Sequence, residues 1–455
     1  ILAQTINSYT VVAFLDSNRS EGYITPRHVV DKKNTAKELS KIINMSEESI
    51  LLLLNRNVYQ VELGPGGRGI TELTKERIEE LNLPGISFMS SYKRYYPNGE
   101  FLSYVIGYTQ TKDDNEIMGE MGIELKYNNE LKGKDGYSIY QQDLYGYKIP
   151  NTPEITEESI DGVDIYLTID SNIQFSAERI TKEAYEKYSP DWIITTVTDA
   201  QTGAILASTS YPSFDPNKKD MTNYLNPLIS YAYEPGSTMK TYTYMSVMES
   251  GKYNGKETFN SGSISFGSDI ISDWKAGGWG TIDYDEGYTL SSNTGISNLV
   301  KKYSSSSELR EYFEKMGFGE KTGIELPNEL SGQLKFKYPV EVATAGFGQG
   351  ITTTAIQNIQ ALTAISNNGT LLKPYIVKKI VDTNTNETIY KGGKKEIRNV
   401  ASSSTINKIK DLMYQTVNGD ASKVTGAIYK INGYDVIGKT GTAQYTDPNT
   451  GKYYY

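Results

Sequence analysis

A polar stretch from Pro150 to Gly162, rich in Pro, Thr and Glu, divides this 455-residue chain into two unlike halves. The length exceeds one ordinary domain, so the stretch predicts two: residues 1–160 and residues 161–455. In the first half Tyr9 to Leu15 alternates as a strand. Thr35-Ala36-Lys37-Glu38 offers a capping box for a helix through Ile43, and a second helix is expected from about Thr71 to Leu81. Ile50 to Leu54 is a short apolar burst, far below a bilayer span. The second half runs strand (Asp164–Ile169), helix (Ile173–Tyr188), then a hairpin of Trp192–Thr198 and Ala204–Ser208. Helical material follows from Thr238 to Asn368, and strands return after Lys373. That order predicts an α+β fold, a sheet flanked by helices.

Composition removes several chemistries. The net charge is -9 and no basic tract exists, which argues against nucleic acid as a partner. Cysteine is absent, so disulfides, thiolate nucleophiles and zinc-thiolate sites are excluded together. The single histidine, His28, lies far from any candidate nucleophile and reads as structural. Neither a metal nor a cofactor is expected. The 37 tyrosines scatter over both halves, a pattern of packing and surface rather than of a stacking platform.

Candidate chemistry begins at Ser237-Thr238-Met239-Lys240. Serine and lysine at i and i+3 share a helix face, so Lys240 is expected to reach the Ser237 hydroxyl. Tyr233-Glu234-Pro235-Gly236 reads as a tight turn delivering Ser237 to a helix start. There the positive end of the macrodipole favours developing negative charge. Spacing alone is weak evidence, since Ser90–Lys93 and Ser272–Lys275 also match but lack a helix start. Two further motifs follow in order: Ser291-Ser292-Asn293 and Lys439-Thr440-Gly441-Thr442. Ser366-Asn367-Asn368 and Lys321-Thr322-Gly323 are decoys, the first at a helix C-terminus and the second in a loop. Tyr434 to Ile437 is expected to lead into Lys439 as a short strand. The Asp447–Gly451 turn lies so near the end that the partner strands are expected to be missing from a truncated chain.

With these motifs in place, the sequence resembles class B penicillin-binding proteins, particularly the division-associated type of Gram-positive cocci. The resemblance covers nearly the whole chain. It rests on Glu234 to Lys240, Ser291 to Asn293, Phe347-Gly348-Gln349-Gly350 and Lys439 to Gln444. In the first half it rests on Arg94 to Gly99 and Gly119 to Glu124. It implies an N-terminal pedestal and a transpeptidase domain on the extracytoplasmic face of the membrane, held by an N-terminal anchor helix absent from this chain. A membrane glycosyltransferase and division proteins are the implied partners.

The implied reaction is acyl transfer on D-Ala-D-Ala stem peptides of peptidoglycan, with β-lactams as covalent inhibitors. Ser237 is the expected nucleophile, Lys240 its base, Ser291 a proton relay and Asn293 a hydrogen-bonding support. Lys439, Thr440 and Thr442 are expected to take the substrate carboxylate, and Gly441 to let substrate lie close. The backbone N–H groups of Ser237 and Thr442 are the expected oxyanion hole. Ser291 and Asn293 have a blander reading as helix caps, and Lys439 as an edge-strand charge. Trp274 is a substrate-binding candidate that fits either core or active-site shield. Gln349 is another, with its glycines a buttress, and Arg94 and Glu124 are expected to form a structural ion pair. A D,D-carboxypeptidase, a β-lactamase or a penicillin-binding sensor or scaffold are the competing readings.

Overall fold

The computed structural model describes residues 1–112, 116–143, 148–443, 445–446 and 453–454. Gln444 and the 447–451 turn lie outside the described residues. The chain packs as two compact units: 1–132 together with 214–221, and 133–213 together with 222–455. The packing division thus falls at Lys132/Gly133, ahead of the polar stretch. Residues 155–157 of that stretch pair in register with Tyr137–Ile139, which draws it into the second unit.

In the first unit the Gln4–Phe14 strand lies between Gln60–Glu62 and Ile86–Tyr95, antiparallel to both. Val11 and Ala13 turn inward to meet Leu39, Ile50, Leu54 and Ile78 from three helices. The apolar burst at 50–54 is the C-terminal part of the Glu47–Leu54 helix, capped by Ser46. The helix expected to start at Thr35 begins one turn earlier, at Lys32. Asp31 accepts from the Asn34 N–H, so the cap is an aspartate rather than the threonine. Thr71 caps Glu72–Glu79.

The second unit is α+β. The predicted hairpin forms as Ile193–Thr198 against Ile205–Tyr211, with an irregularity between Ile205 and Ala207. Asp164–Leu167 pairs with Val377–Val381, which also pairs with Thr388–Lys391. The Lys240–Glu249 helix is buried on nearly every side, through Tyr242, Thr243, Tyr244, Met245 and Val247. A helix surrounded in this way sits in the middle of a core rather than on its rim. Around it lie Tyr284, Tyr288, Ile296, Leu299 and Phe313, so several of the many tyrosines serve as packing. That central position strips water from the first residue of the helix, Lys240.

Candidate active site

Ser237 sits in a single 3-10 turn, Gly236–Met239, which runs directly into the Lys240–Glu249 helix. In a 3-10 turn residues i and i+3 eclipse, so Ser237 and Lys240 still share one face. The turn is held by glycines. Gly236 has φ +58° and donates to the Gly348 carbonyl at 3.0 Å. A Cβ on Gly348 would lie 2.1 Å from the Gly236 carbonyl oxygen, so only glycine allows this approach. Gly350 N–H donates to Glu234 at 2.9 Å, and Ala232–Tyr233 pairs with Thr353–Thr354. The Phe347–Gly350 loop therefore supports the serine turn through its glycine backbone. Gln349 takes part by donating its N–H to the Thr344 carbonyl at 3.0 Å.

Lys240 is 1% exposed. Its Nζ donates to the Ser291 carbonyl at 2.6 Å, to Asn293 Oδ1 at 2.8 Å and to Ser291 Oγ at 3.2 Å. Among the described residues these are its hydrogen bonds, and Ser237 receives none of them. The expected direct Ser237–Lys240 contact is replaced by contacts to the Ser291–Asn293 turn. Burial holds the Lys240 ammonium well below the ordinary lysine range, and the nearby positive charge of Lys439 lowers it further. Asp273 acts in the opposite direction.

Ser291 is buried and adopts φ +57°, a left-handed conformation uncommon outside glycine. The cap of the Asn293–Tyr303 helix is Ser292, whose Oγ accepts from Gly295 N–H at 2.9 Å. Neither Ser291 nor Asn293 is thus spent on capping. Asn293 Nδ2 donates to the Ser272 carbonyl at 3.1 Å, which aims its Oδ1 at Lys240.

Lys439 Nζ donates to Ser291 Oγ at 2.9 Å and to the Thr440 carbonyl at 3.1 Å. It is part-buried, and loss of water pushes it down to about 7. The residues around it are not a strand. Residues 431–443 form no ladder with any described strand; Tyr445–Thr446 pairs only with Tyr453–Tyr454. An extended segment becomes a strand only when a neighbour takes its N–H and C=O groups. The segment nevertheless lies against the serine turn. A Cβ on Gly441 would come within 2.9 Å of the Pro235 carbonyl oxygen, and one on Gly236 within 2.5 Å of that of Thr442. Thr440 is part-buried and Thr442 exposed.

Trp274 is 60% exposed, which removes the core reading. Its indole N–H donates to the Leu290 carbonyl at 2.9 Å and its ring meets Trp279 edge-on. Lys321-Thr322-Gly323 is a loop in which Glu329 accepts from the backbone N–H groups of Thr322 and Gly323 and from the Thr322 hydroxyl. In the first unit, Arg94 Nε donates to the buried Glu124 at 2.6 Å. Sequence reasoning missed Asp273, and it quoted Ser292 and Glu234 inside motifs without giving either a role. Asp273 lies inside the rejected Ser272–Lys275 match, where no spacing rule marks it.

Residues 193–455 match the penicillin binding protein transpeptidase domain. The chain belongs to the penicillin-binding transpeptidase family. Residues 1–167 match the penicillin-binding protein dimerisation domain, and the two domains together make the class B arrangement. Stage V sporulation protein D of Bacillus subtilis is 35% identical over 431 residues, covering 93% of this chain and 65% of that protein. A probable peptidoglycan D,D-transpeptidase, PenA, of Neisseria meningitidis is 28% identical, covering 81% and 61%. The chain thus spans under two thirds of these relatives. The crystal structure of penicillin binding protein 2X from Streptococcus thermophilus superposes with a TM-score of 0.78 at 29% identity, covering all of this chain and 70% of that one. Among the described residues no helix is long and apolar enough to cross a membrane.

Proposed function

We propose that this penicillin-binding chain is a serine D,D-transpeptidase that joins peptidoglycan stem peptides through an acyl-enzyme on Ser237. The reading rests on one observation, the partners of Lys240. A neutral amine has two N–H donors and one lone pair. The Ser291 carbonyl and Asn293 Oδ1 can only accept, so they use both donors. In this neutral form the 3.2 Å contact with Ser291 Oγ reverses, the hydroxyl donating, so the lone pair faces a hydroxyl proton, which is what a general base needs. Burial of Lys240 and the charge of Lys439 favour this neutral form.

Ser237 Oγ attacks the carbonyl of the penultimate D-alanine while its proton passes to Lys240. The C–N bond then breaks, and terminal D-alanine leaves with a proton relayed through Ser291, whose Oγ lies between Lys240 and Lys439. An amine of a second stem peptide attacks the ester, gives up its proton and restores Ser237. Lys439 in its charged form, with the Thr440 and Thr442 hydroxyls, holds the substrate carboxylate. The N–H groups of Ser237 and Thr442 are assigned to the oxyanion, a contribution of about 3–4 kcal/mol per donor in other enzymes. Trp274, exposed beside the Ser291 turn, is assigned to substrate, and Gln349 to the loop behind it. A β-lactam would replace the donor peptide and remain on Ser237.

The chain is placed at the outer face of the cell membrane, beside a membrane glycosyltransferase and division proteins. Septum formation in division is the first reading. Cell-wall synthesis during sporulation is the second, favoured by the name of the B. subtilis relative.

A reporter penicillin tests the nucleophile: wild type labels covalently and Ser237→Ala does not, whereas equal labelling of both removes the assignment. Competition between water and a D-amino-acid acceptor tests the transfer. Product that stays wholly hydrolytic at high amine concentration makes the chain a D,D-carboxypeptidase.

A further inference from the structure

Among the described residues, Asp273 has four donors and no cation bonded to it. Its Oδ1 accepts from Ser292 Oγ at 2.9 Å and Thr294 N–H at 3.0 Å. Its Oδ2 accepts from Thr294 Oγ1 at 2.7 Å and Gly262 N–H at 2.8 Å. Asp273 is 7% exposed. A buried carboxylate without a salt bridge is costly unless its lone pairs are filled, and here two donors face each oxygen.

Three of the four donors come from the segment that holds Lys240, and the fourth, Gly262 N–H, comes from the foot of the neighbouring hairpin. Ser292 and Thr294 flank Asn293, a direct partner of Lys240, and Ser292 follows the strained Ser291. The neighbours of Asp273 grip the same turn: Ser272 through its carbonyl to Asn293, and Trp274 through its indole to Leu290. The Asp273 N–H donates back to the Gly262 carbonyl at 3.0 Å, so both ends of the Ser263–Ser272 hairpin close on the aspartate. Three consecutive residues, 272 to 274, therefore clamp the segment 290–294.

We infer that Asp273 is the positioning residue of this site: its carboxylate fixes the Ser291–Asn293 turn and with it the acceptors that hold Lys240. The inference rests on the acyl-transfer reading for its role in catalysis, but not for its effect on Lys240. Among the described residues, the charged groups acting on Lys240 are Lys439, which lowers its proton affinity, and Asp273, which raises it. Tyr288, close to Lys439, is held neutral by burial, and its hydroxyl is bonded to Thr241. Removing Asp273 thus leaves Lys439 unopposed.

The test uses Asp273→Asn and Thr294→Val in the full chain, with two measurements. In the first, the rate of Ser237 acylation by a reporter penicillin is followed against pH. In the second, the Lys240 ε-CH2 signal is titrated by NMR, assigned by its loss in Lys240→Arg. Asp273→Asn turns an acceptor into an NH2 group facing donors, so acylation should slow by about tenfold to a hundredfold. Its acid limb and the Lys240 midpoint should both move to lower pH, by on the order of one unit. Thr294→Val keeps the charge, so it should slow acylation without moving the midpoint. An unmoved midpoint in Asp273→Asn overturns the electrostatic role, and an unchanged rate overturns the positioning role. Should wild type fail to acylate, the acyl-transfer reading fails, while the NMR midpoint still decides whether Asp273 acts on Lys240. A variant too unstable to titrate is replaced by Asp273→Glu, which keeps the charge. It should retain the midpoint while losing rate, and a midpoint that moves as in Asp273→Asn overturns the charge assignment.

Discussion

Two of the three stretches that share the Ser-x-x-Lys spacing have opposite fates. Ser237–Lys240 is a 3-10 turn feeding a core helix, with its lysine stripped of water. Ser272–Lys275 leaves the end of a hairpin, and both its serine and its lysine are exposed. The difference teaches that spacing places two groups on one side of the backbone, whereas chemistry needs the environment to change their proton affinity. The second stretch is not idle, since its inner residues hold the turn that receives Lys240. One match supplies the reacting groups and the other braces them.

The comparison breaks first at the serines. Ser237→Ala should reduce covalent penicillin labelling by on the order of a thousandfold or more, while Ser272→Ala stays within about twofold. Comparable losses would erase the distinction between the stretches. The lysines come next. Lys240→Met removes the proposed base and should cost about 10²–10⁴-fold in acylation rate, against about twofold or less for Lys275→Met. Intact-mass kinetics on the four variants would read both pairs.

A third, smaller effect is the pH dependence. Only neutral Lys240 accepts a proton, so acylation should fall about tenfold per pH unit as pH drops below its lowered value. Lys439 loses its charge as pH rises through about 7, which removes the carboxylate anchor and produces an alkaline limb. Lys439→Arg stays charged and should flatten that limb, and a limb that survives the substitution would have to belong to another group. The smallest effect concerns the brace. Ser292→Ala removes both the cap of the Asn293–Tyr303 helix and one donor to Asp273, and should lower stability by about 1 kcal/mol in urea unfolding. Ser307, near the start of the Ser306–Lys315 helix but not its cap, is the control, and Ser307→Ala should be nearly silent.

Much of the site was legible as motifs because each is a short local pattern with its own signature. Pro235-Gly236 announced a turn, and Ser291-Ser292-Asn293 announced a helix start. The local reading erred where a partner decides the outcome. The segment before Lys439 has strand composition, yet it forms no ladder with any described strand. Thr35 has the right residue for a cap, but Asp31 stands a turn earlier with a better acceptor. Trp274 was ambiguous because indole suits both core and surface; its contact with the Leu290 carbonyl and its exposure depend on where the hairpin folds back.

Sequence alone determined the α+β class, the order of the three motifs and the absence of cysteine. With its one histidine set far from them, it also made lysine the natural base. Each of these is a property of composition or of neighbours along the chain. Tertiary structure alone decided that Lys240 bonds to Ser291 and Asn293 rather than to Ser237. It also decided that Ser292 takes the cap, and that Asp273 joins a site its own stretch did not advertise. The reason is desolvation: burying an amine in the middle of a core forces it toward whatever acceptors the fold brings within 3 Å. Those acceptors lie some fifty residues away in sequence, at Ser291 and Asn293.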